Sequence, residues 1–230
     1  GAAAVRMLAE AGASVIIGYN QGEDRARALL AELPGSAHGV QQLTLEDSAS
    51  VVRAGEAIAA QFPALNVLVN SAGTARHSDL AGVTPADYQA VMQVNLGATL
   101  FVTQAVAGKL QAAGQGGSII NVSSQMGHVG GPSRAVYAAS KHAVEGLSKA
   151  LAIELGASNI RINTVCPTFI ETELTAKNLS DPDFRAWVLS KIKLGRLGRV
   201  EDIMGPIVFL ASDAASLVTG TALMVDGGWT

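Results

Sequence analysis

The sequence predicts a doubly wound α/β domain, a parallel sheet covered by helices on both faces. Three observations carry this. The short runs 66–70, 118–122 and 160–165 are near-continuously apolar rather than alternating, as strands buried on both faces must be. Between such runs lie stretches with helical spacing, long enough for the right-handed crossovers that join parallel strands. The chain has 230 residues, 49% hydrophobic and 15% charged, enough to build one core without disulfide or metal staples.

The elements follow in order. Residues 2–11 place Val5, Leu8 and Ala9 at helical spacing, and Gly12 suits the left-handed turn that ends a helix. A buried strand is expected at 14–17, an amphipathic helix at 24–33 stopped by Pro34-Gly35, a strand at 39–43 and a helix at 48–62. After the strand at 66–70, Thr84 and Pro85 supply the N-cap and first-turn proline of a helix reaching about residue 113. The strand at 118–122 leads through a glycine-rich loop to a helix at 134–155 and a strand at 160–165. The polar stretch that follows is too long for an ordinary connection and is expected to be a partly helical lid or substrate loop at about 168–199. A helix at 201–211 and a strand at 222–225 close the chain. With no repeat or linker, residues 1–230 read as a single domain.

Sixteen basic and nineteen acidic residues give a net charge of −3, with no cationic run that could track a phosphate backbone, so nucleic acid is not an expected partner. The single cysteine, Cys166, cannot form an intrachain disulfide, and a reducing cytoplasm is the expected compartment. His38, His77, His128 and His142 lack metal-ligand spacing. No uninterrupted apolar run reaches the roughly 18–20 residues that cross a bilayer, and Arg6 and Glu10 break the pattern of a signal peptide.

Ligands of doubly wound sheets bind beyond the carboxyl ends of the strands. Just past one such end stand Ser123 and Ser124, and thirteen residues after Ser124 comes Tyr137, with Lys141 one helical turn later. A tyrosine titrates near 10, so acid/base work at neutrality calls for a neighbouring cation, which Lys141 can supply. Alone, the pair reads as easily as an ordinary surface Tyr and Lys at i,i+4.

The wider pattern is more specific. Asn70-Ser71-Ala72-Gly73 follows one strand, Asn95 lies in the next helix, and then come Ser124 and Tyr137-Ala138-Ala139-Ser140-Lys141. Gly195-Arg196-Leu197-Gly198-Arg199 and Val225-Asp226-Gly227-Gly228 complete the series. In this register the chain resembles, over its whole length, the short-chain dehydrogenase/reductase family, most nearly its 3-oxoacyl-[acyl-carrier-protein] reductase-like branch. The resemblance implies a Rossmann fold and an NAD(P)-dependent hydride transfer between a ketone and a secondary alcohol. Tyr137 would be the general acid or base, Ser124 would hydrogen-bond the substrate oxygen, and Lys141 would lower the tyrosine pKa and hold the nicotinamide ribose. Asn95 would position a water linking Lys141 to solvent.

For the cofactor, the resemblance implies pyrophosphate at the N-terminus of the first helix beside Gly1, with Asn70, Ala72 and Gly73 along the adenine ribose and Pro167, Ile170 and Thr172 near the carboxamide. Tyr19, Asn20 and Thr44 would lie toward the adenine end. Three positions depart from the family pattern: Ser71 for its second asparagine, Thr168 for the glycine after Pro167, and Thr44 for the acid beside adenine. The segment Gly18-Tyr19-Asn20-Gln21 lacks an acid to grip a ribose 2′-hydroxyl, so NADP(H) is favoured over NAD(H), with Arg25 or Arg27 as phosphate partners.

The expected partners are a small carbonyl or alcohol substrate and further copies of the chain, since the helix carrying Tyr137 is small or apolar nearly all round, and the family resemblance implies a homotetramer. A 3-oxoacyl thioester is the first expectation for the substrate and a sugar or polyol the second. A dinucleotide-binding scaffold or regulatory protein without turnover is the third reading. Cys166 as a nucleophile and His128 as a substrate contact are set aside for want of a supporting pattern. A doubly wound sheet also calls for a strand ahead of its first helix, so an apolar strand and glycine loop are expected upstream of Gly1.

Overall fold

The computed structural model describes residues 1–45, 47–61 and 65–230. Phe62, the expected end of one helix, lies outside the described residues. Helices and parallel strands alternate as expected: α1 (Ala2–Glu10), β1 (Ile16–Tyr19), α2 (Glu23–Ala31), β2 (Gly39–Gln42), α3 (Ser48–Gln61) and β3 (Val67–Asn70). Then come α4 (Pro85–Met92), α5 (Ala98–Ala112), β4 (Gly117–Val122), α6 (Ala135–Leu155) and β5 (Ile160–Pro167). The lid region holds α7 (Glu173–Leu179) and α8 (Pro182–Lys191), and α9 (Val200–Ala211) and β6 (Ala222–Val225) follow.

One strand boundary needs correction. The strand placed at 14–17 forms two residues later, because the Val15 amide is taken by His38 Nδ1 at 3.0 Å and pairing with β2 starts at Ile16↔Gly39. The parallel strands stand in two groups. Among the described strands β1 pairs only with β2, while β3, β4, β5 and β6 form a separate parallel sheet in that order. Helix α1 packs on both parts, Ala9 against Ile17 and Leu29 of the first, and Ala4 against Ile120, Val165 and Ile207 of the second.

The four-stranded sheet is covered on both faces. One carries α9 through Ile203, Ile207 and Leu210, and the other carries α5 and α6 through Val106, Leu110 and Ala152 against Ile119, Ile160 and Ile162. The run Pro85–Ala112 has the length of a bilayer span and contains an 18-residue window of mean hydropathy 1.3, but 44% of that window is buried against the rest of the fold, as in a core helix. It is not one continuous α-helix as expected. A π turn at Gln93–Gly97 separates α4 from α5. Such turns insert one residue into the helical ladder and re-aim the side chains on it.

Candidate active site

The carboxyl ends of β3, β4 and β5 face the N-terminal half of α6 across a cavity of about 390 Å³. Ser124 follows β4 and begins a 3-10 turn (Gln125–Gly127), its Oγ accepting the Met126 amide at 3.1 Å. Tyr137 and Lys141 project from consecutive turns of α6 into the same cavity, with Lys141 Nζ 5.8 Å from the Tyr137 ring centroid. Ser124, Tyr137 and Lys141 therefore meet, as the spacing predicts.

Burial dominates the electrostatics of the pair. Burial pushes the Tyr137 hydroxyl above its usual value of 10, against the opposing effects of a hydrogen bond with Ser124 and the positive charge of Arg134. The Lys141 ammonium donates to the Val122 carbonyl at 2.8 Å and is itself destabilised by burial, which brings its pKa down to about 8, so at pH 7 it still carries its charge beside the tyrosine ring.

Asn95 occupies the π turn and is buried. Its Oδ1 accepts the Thr74 amide at 2.8 Å, and its Nδ2 donates to the Thr74 carbonyl at 3.0 Å and to Ser140 Oγ at 2.9 Å. Ser140 in turn donates to the Tyr137 carbonyl at 2.7 Å, so one amide ties the loop after β3 to the catalytic turn of α6. A Cβ added at Gly73 would stand 3.5 Å from Asn95 Oδ1 and 3.9 Å from Lys141 Nζ, which places the Gly73 backbone against both groups.

Of the expected cofactor residues, Gly73, Tyr137, Lys141, Pro167, Ile170 and Thr172 line this cavity, and Gly1, Tyr19, Asn20, Thr44, Asn70 and Ala72 do not. Asn70 turns its amide inward, donating to Thr103 Oγ1 at 3.0 Å and Asn121 Oδ1 at 2.9 Å, so it offers a ligand only its backbone. Gly1 is the N-cap of α1 with no side-chain cap, and Tyr19 ends β1 with its hydroxyl bonded to Glu23. Thr172 caps α7 together with Thr175. Thr168 lines the cavity with a buried Oγ1 that has no partner among the described residues, a free donor and acceptor beside Pro167 where a carboxamide is expected. The residues present thus fit a nicotinamide dinucleotide.

Sequence reasoning missed three residues of the cavity. Gln125 is 1% exposed, and neither end of its side-chain amide has a partner among the described residues. His77 stands edge-on to Tyr137 at 6.0 Å between centroids; burial and the charge of Arg134 lower its pKa, so it is neutral at pH 7. Arg134, the N-cap residue of α6, is 7% exposed and lies over the rings of Phe169 and Phe184. Its position three residues before Tyr137 was the signal available.

His128 turns away from the cavity toward Cys166 and Glu145, with Nε2 3.5 Å from Sγ and 3.6 Å from Glu145 Oε1. Cys166 donates to Glu145 Oε1 at 3.2 Å, and burial pushes its thiol up to about 12, so it remains protonated and is not a nucleophile.

A parallel sheet flanked by helices and a Ser-Tyr-Lys set converging at its carboxyl edge define a hydride-transfer enzyme of the Rossmann class, and comparison with known proteins agrees. A family model described as enoyl-(acyl carrier protein) reductase matches residues 1–230. The chain belongs to the short-chain dehydrogenase/reductase family. It is 39% identical to D-threitol dehydrogenase of Mycolicibacterium smegmatis, over 100% of this chain and 88% of the relative. It is 38% identical to 3-oxoacyl-[acyl-carrier-protein] reductase of Thermotoga maritima, over 99% and 92%. The crystal structure of a gluconate 5-dehydrogenase from Burkholderia cenocepacia in complex with NADP and tartrate superimposes with a TM-score of 0.91 at 36% identity, covering 98% of this chain and 89% of that one. The reductase branch expected from the sequence is thus no nearer than the sugar and polyol dehydrogenases.

Proposed function

We propose that the protein is an NADP(H)-dependent dehydrogenase acting on a secondary alcohol, or the corresponding ketone, of a small hydroxyl-rich substrate of the sugar or polyol type. The observation that carries this reading is Gln125. A buried amide with both ends unpartnered is costly unless a ligand satisfies it, and vicinal hydroxyls, which both donate and accept, match it. The acyl chain of a 3-oxoacyl thioester would leave it unpaired. The lid's aromatic residues pack edge-on in a cluster, Phe169 with Phe184 at 5.7 Å and Trp187 with the C-terminal Trp229 at 5.4 Å. The order of preference drawn from sequence is therefore inverted, and the thioester becomes the second reading, supported by the Thermotoga relative.

Bound NADP(H) supplies or accepts the hydride. In the oxidative direction Tyr137 takes the proton of the substrate hydroxyl as the carbinol carbon loses hydride, and in the reductive direction it returns that proton to the carbonyl oxygen. Ser124 donates to the same oxygen and holds it near Tyr137. Lys141 and Tyr137 would hold the nicotinamide ribose, Pro167, Thr168, Ile170 and Thr172 the carboxamide, and Gly1 the pyrophosphate. Asn95 fixes Thr74 and Ser140 so that the site is assembled before substrate enters. Three such groups in one cavity, with Asn95 holding the structure behind them, argue against a scaffold without turnover.

NADP is favoured because Glu23, the acid nearest the end of β1, is committed to Arg27 at 2.6 Å and to Tyr19. Arg25 has no carboxylate partner among the described residues, which leaves it for a 2′-phosphate. The reading is of a cytoplasmic homotetramer, consistent with Ile153 and Leu217 standing 83% and 97% exposed on the isolated chain.

The test is a panel of sugars and C4–C6 polyols with NADP+ and NAD+, run beside acetoacetyl thioester with NADPH. Polyol or sugar turnover that disappears in Tyr137→Phe, with a higher kcat/KM for NADP+, is expected. Turnover confined to the thioester would overturn the substrate reading, and cofactor binding with no turnover of any compound would restore the scaffold.

A further inference from the structure

We propose that Arg134 is a carboxylate-binding residue, so that the substrate of this site is a polyhydroxy carboxylate; this rests on reading the site as a dehydrogenase of hydroxyl-rich compounds. Arg134 lines the same cavity as Ser124 and Tyr137 and begins the helix that carries Tyr137. The Arg134 charge is near enough to act on the Tyr137 hydroxyl. A group held by Arg134 and a carbon reacting at Tyr137 therefore belong to one short molecule.

The guanidinium has an unmet need. Arg134 as a residue is 7% exposed, and among the described residues its side chain makes one hydrogen bond, from Nη1 to the Pro132 carbonyl at 3.0 Å. A guanidinium carries five N–H donors in a planar fork. No carboxylate among the described residues lies within ion-pairing reach, and the charge is compensated only by the rings of Phe169 and Phe184, at 5.5 and 5.0 Å. A buried cation without a counter-ion is costly, and proteins retain one where a ligand brings the missing charge. The two rings also keep water from the guanidinium, which strengthens any pairing made in the cavity.

The anion is taken to be a carboxylate on the geometry of the fork, Arg134 being the cation of this cavity that lies beside aromatic rings instead of a protein acceptor network. Lys141 is engaged with the Val122 carbonyl, and His77 is uncharged at neutrality. A planar carboxylate also matches the guanidinium fork with two parallel hydrogen bonds. At about 390 Å³ the cavity is at the small end of ligand sites, which suits a short-chain acid.

The decisive measurement is calorimetric titration of the intact enzyme, saturated with NADP+, with C4 to C6 aldonates, each set against its own primary amide. At least one acid should bind about 10- to 100-fold more tightly than its amide. Arg134→Gln should abolish that preference, and Arg134→Lys should keep part of it by retaining charge without the fork. Equal affinity for every acid and its amide in the wild type, failure of all the acids to bind, or a preference that survives in Arg134→Gln would each overturn the proposal. Should Arg134→Gln not fold, the wild-type pairs and Arg134→Lys still decide it. The two readings fail separately. Polyol turnover without an acid preference sinks the carboxylate site alone, whereas an acid preference with turnover confined to acetoacetyl thioester sinks the dehydrogenase reading alone.

Discussion

Replacing Lys141 by methionine should change how stability depends on pH, by an amount set by the burial of the ammonium. Lys141 is 5% exposed, and burial lowers its pKa from 10.5 to about 8, outweighing the attraction of Cys166 and Glu145. At pH 7 both the folded and the unfolded chain carry the proton, and the folded protein bears the full cost of a buried cation. As pH rises past about 8 the folded protein releases this proton while the unfolded chain keeps it to about pH 10.4. The unfolded state then binds more protons, so stability rises with pH through this window and levels off above it. Between about pH 7 and 9.5 the gain is roughly 1.4 pH-unit equivalents, or about 2 kcal/mol at 1.36 kcal/mol per unit. Lys141→Met has no proton to lose and should lack this slope. Urea unfolding of the cofactor-free proteins at several pH values, followed by tryptophan fluorescence, gives the difference between them directly. Subtraction removes the titration of Tyr137 and the remaining groups. The wild type should gain about 2 kcal/mol on the variant across the window; a difference that stays flat, or that falls with pH, would refute the dominance of burial over the neighbouring acid groups.

Three further outcomes are expected. Tyr137→Phe should lower kcat by about 10²- to 10⁴-fold while NADPH affinity stays within about 3-fold, because the ring and its edge contact with His77 remain and only the proton donor is lost; an undiminished kcat would remove Tyr137 from the chemistry. Asn95→Ala should cost about 1–3 kcal/mol in urea unfolding and should reduce kcat as well, since it strands the part-buried Thr74 amide and frees the buried Ser140; unchanged stability would show that these bonds do not hold the π turn. Light scattering at micromolar concentration should give about four times the chain mass, and a monomer would contradict the assembly expected from the exposed Ile153 and Leu217.

What could be read from the sequence, and what could not, divides along physical lines. The strand at Ala222–Val225 and the start of the helix at Pro85 were legible because apolar continuity and cap chemistry are local. The two-residue shift of β1 was not, since Val15 is buried whether or not it pairs, and its amide is removed from the ladder by His38, distant in sequence. The π turn was invisible for a related reason: one extra residue in a helical ladder hardly alters a 3.6-residue hydrophobic period, although it places Asn95 against Thr74. Ser124, Tyr137 and Lys141 could be found because one strand end and two turns of one helix suffice to bring them together. Gln125 and Arg134 belong to another kind of site residue. Gln125 directly follows Ser124 and Arg134 stands three residues before Tyr137, yet each was passed over, because what marks it is a missing partner. An amide with nothing to bond and a guanidinium with no acid become visible only when the rest of the chain has folded around them and its acids have gone elsewhere, Glu145 to Thr164 and Cys166, Asp202 to Arg196 and Glu23 to Arg27. In this fold the chemistry of hydride transfer is written in spacing, whereas the chemistry of substrate choice is written in the groups that the protein leaves unsatisfied.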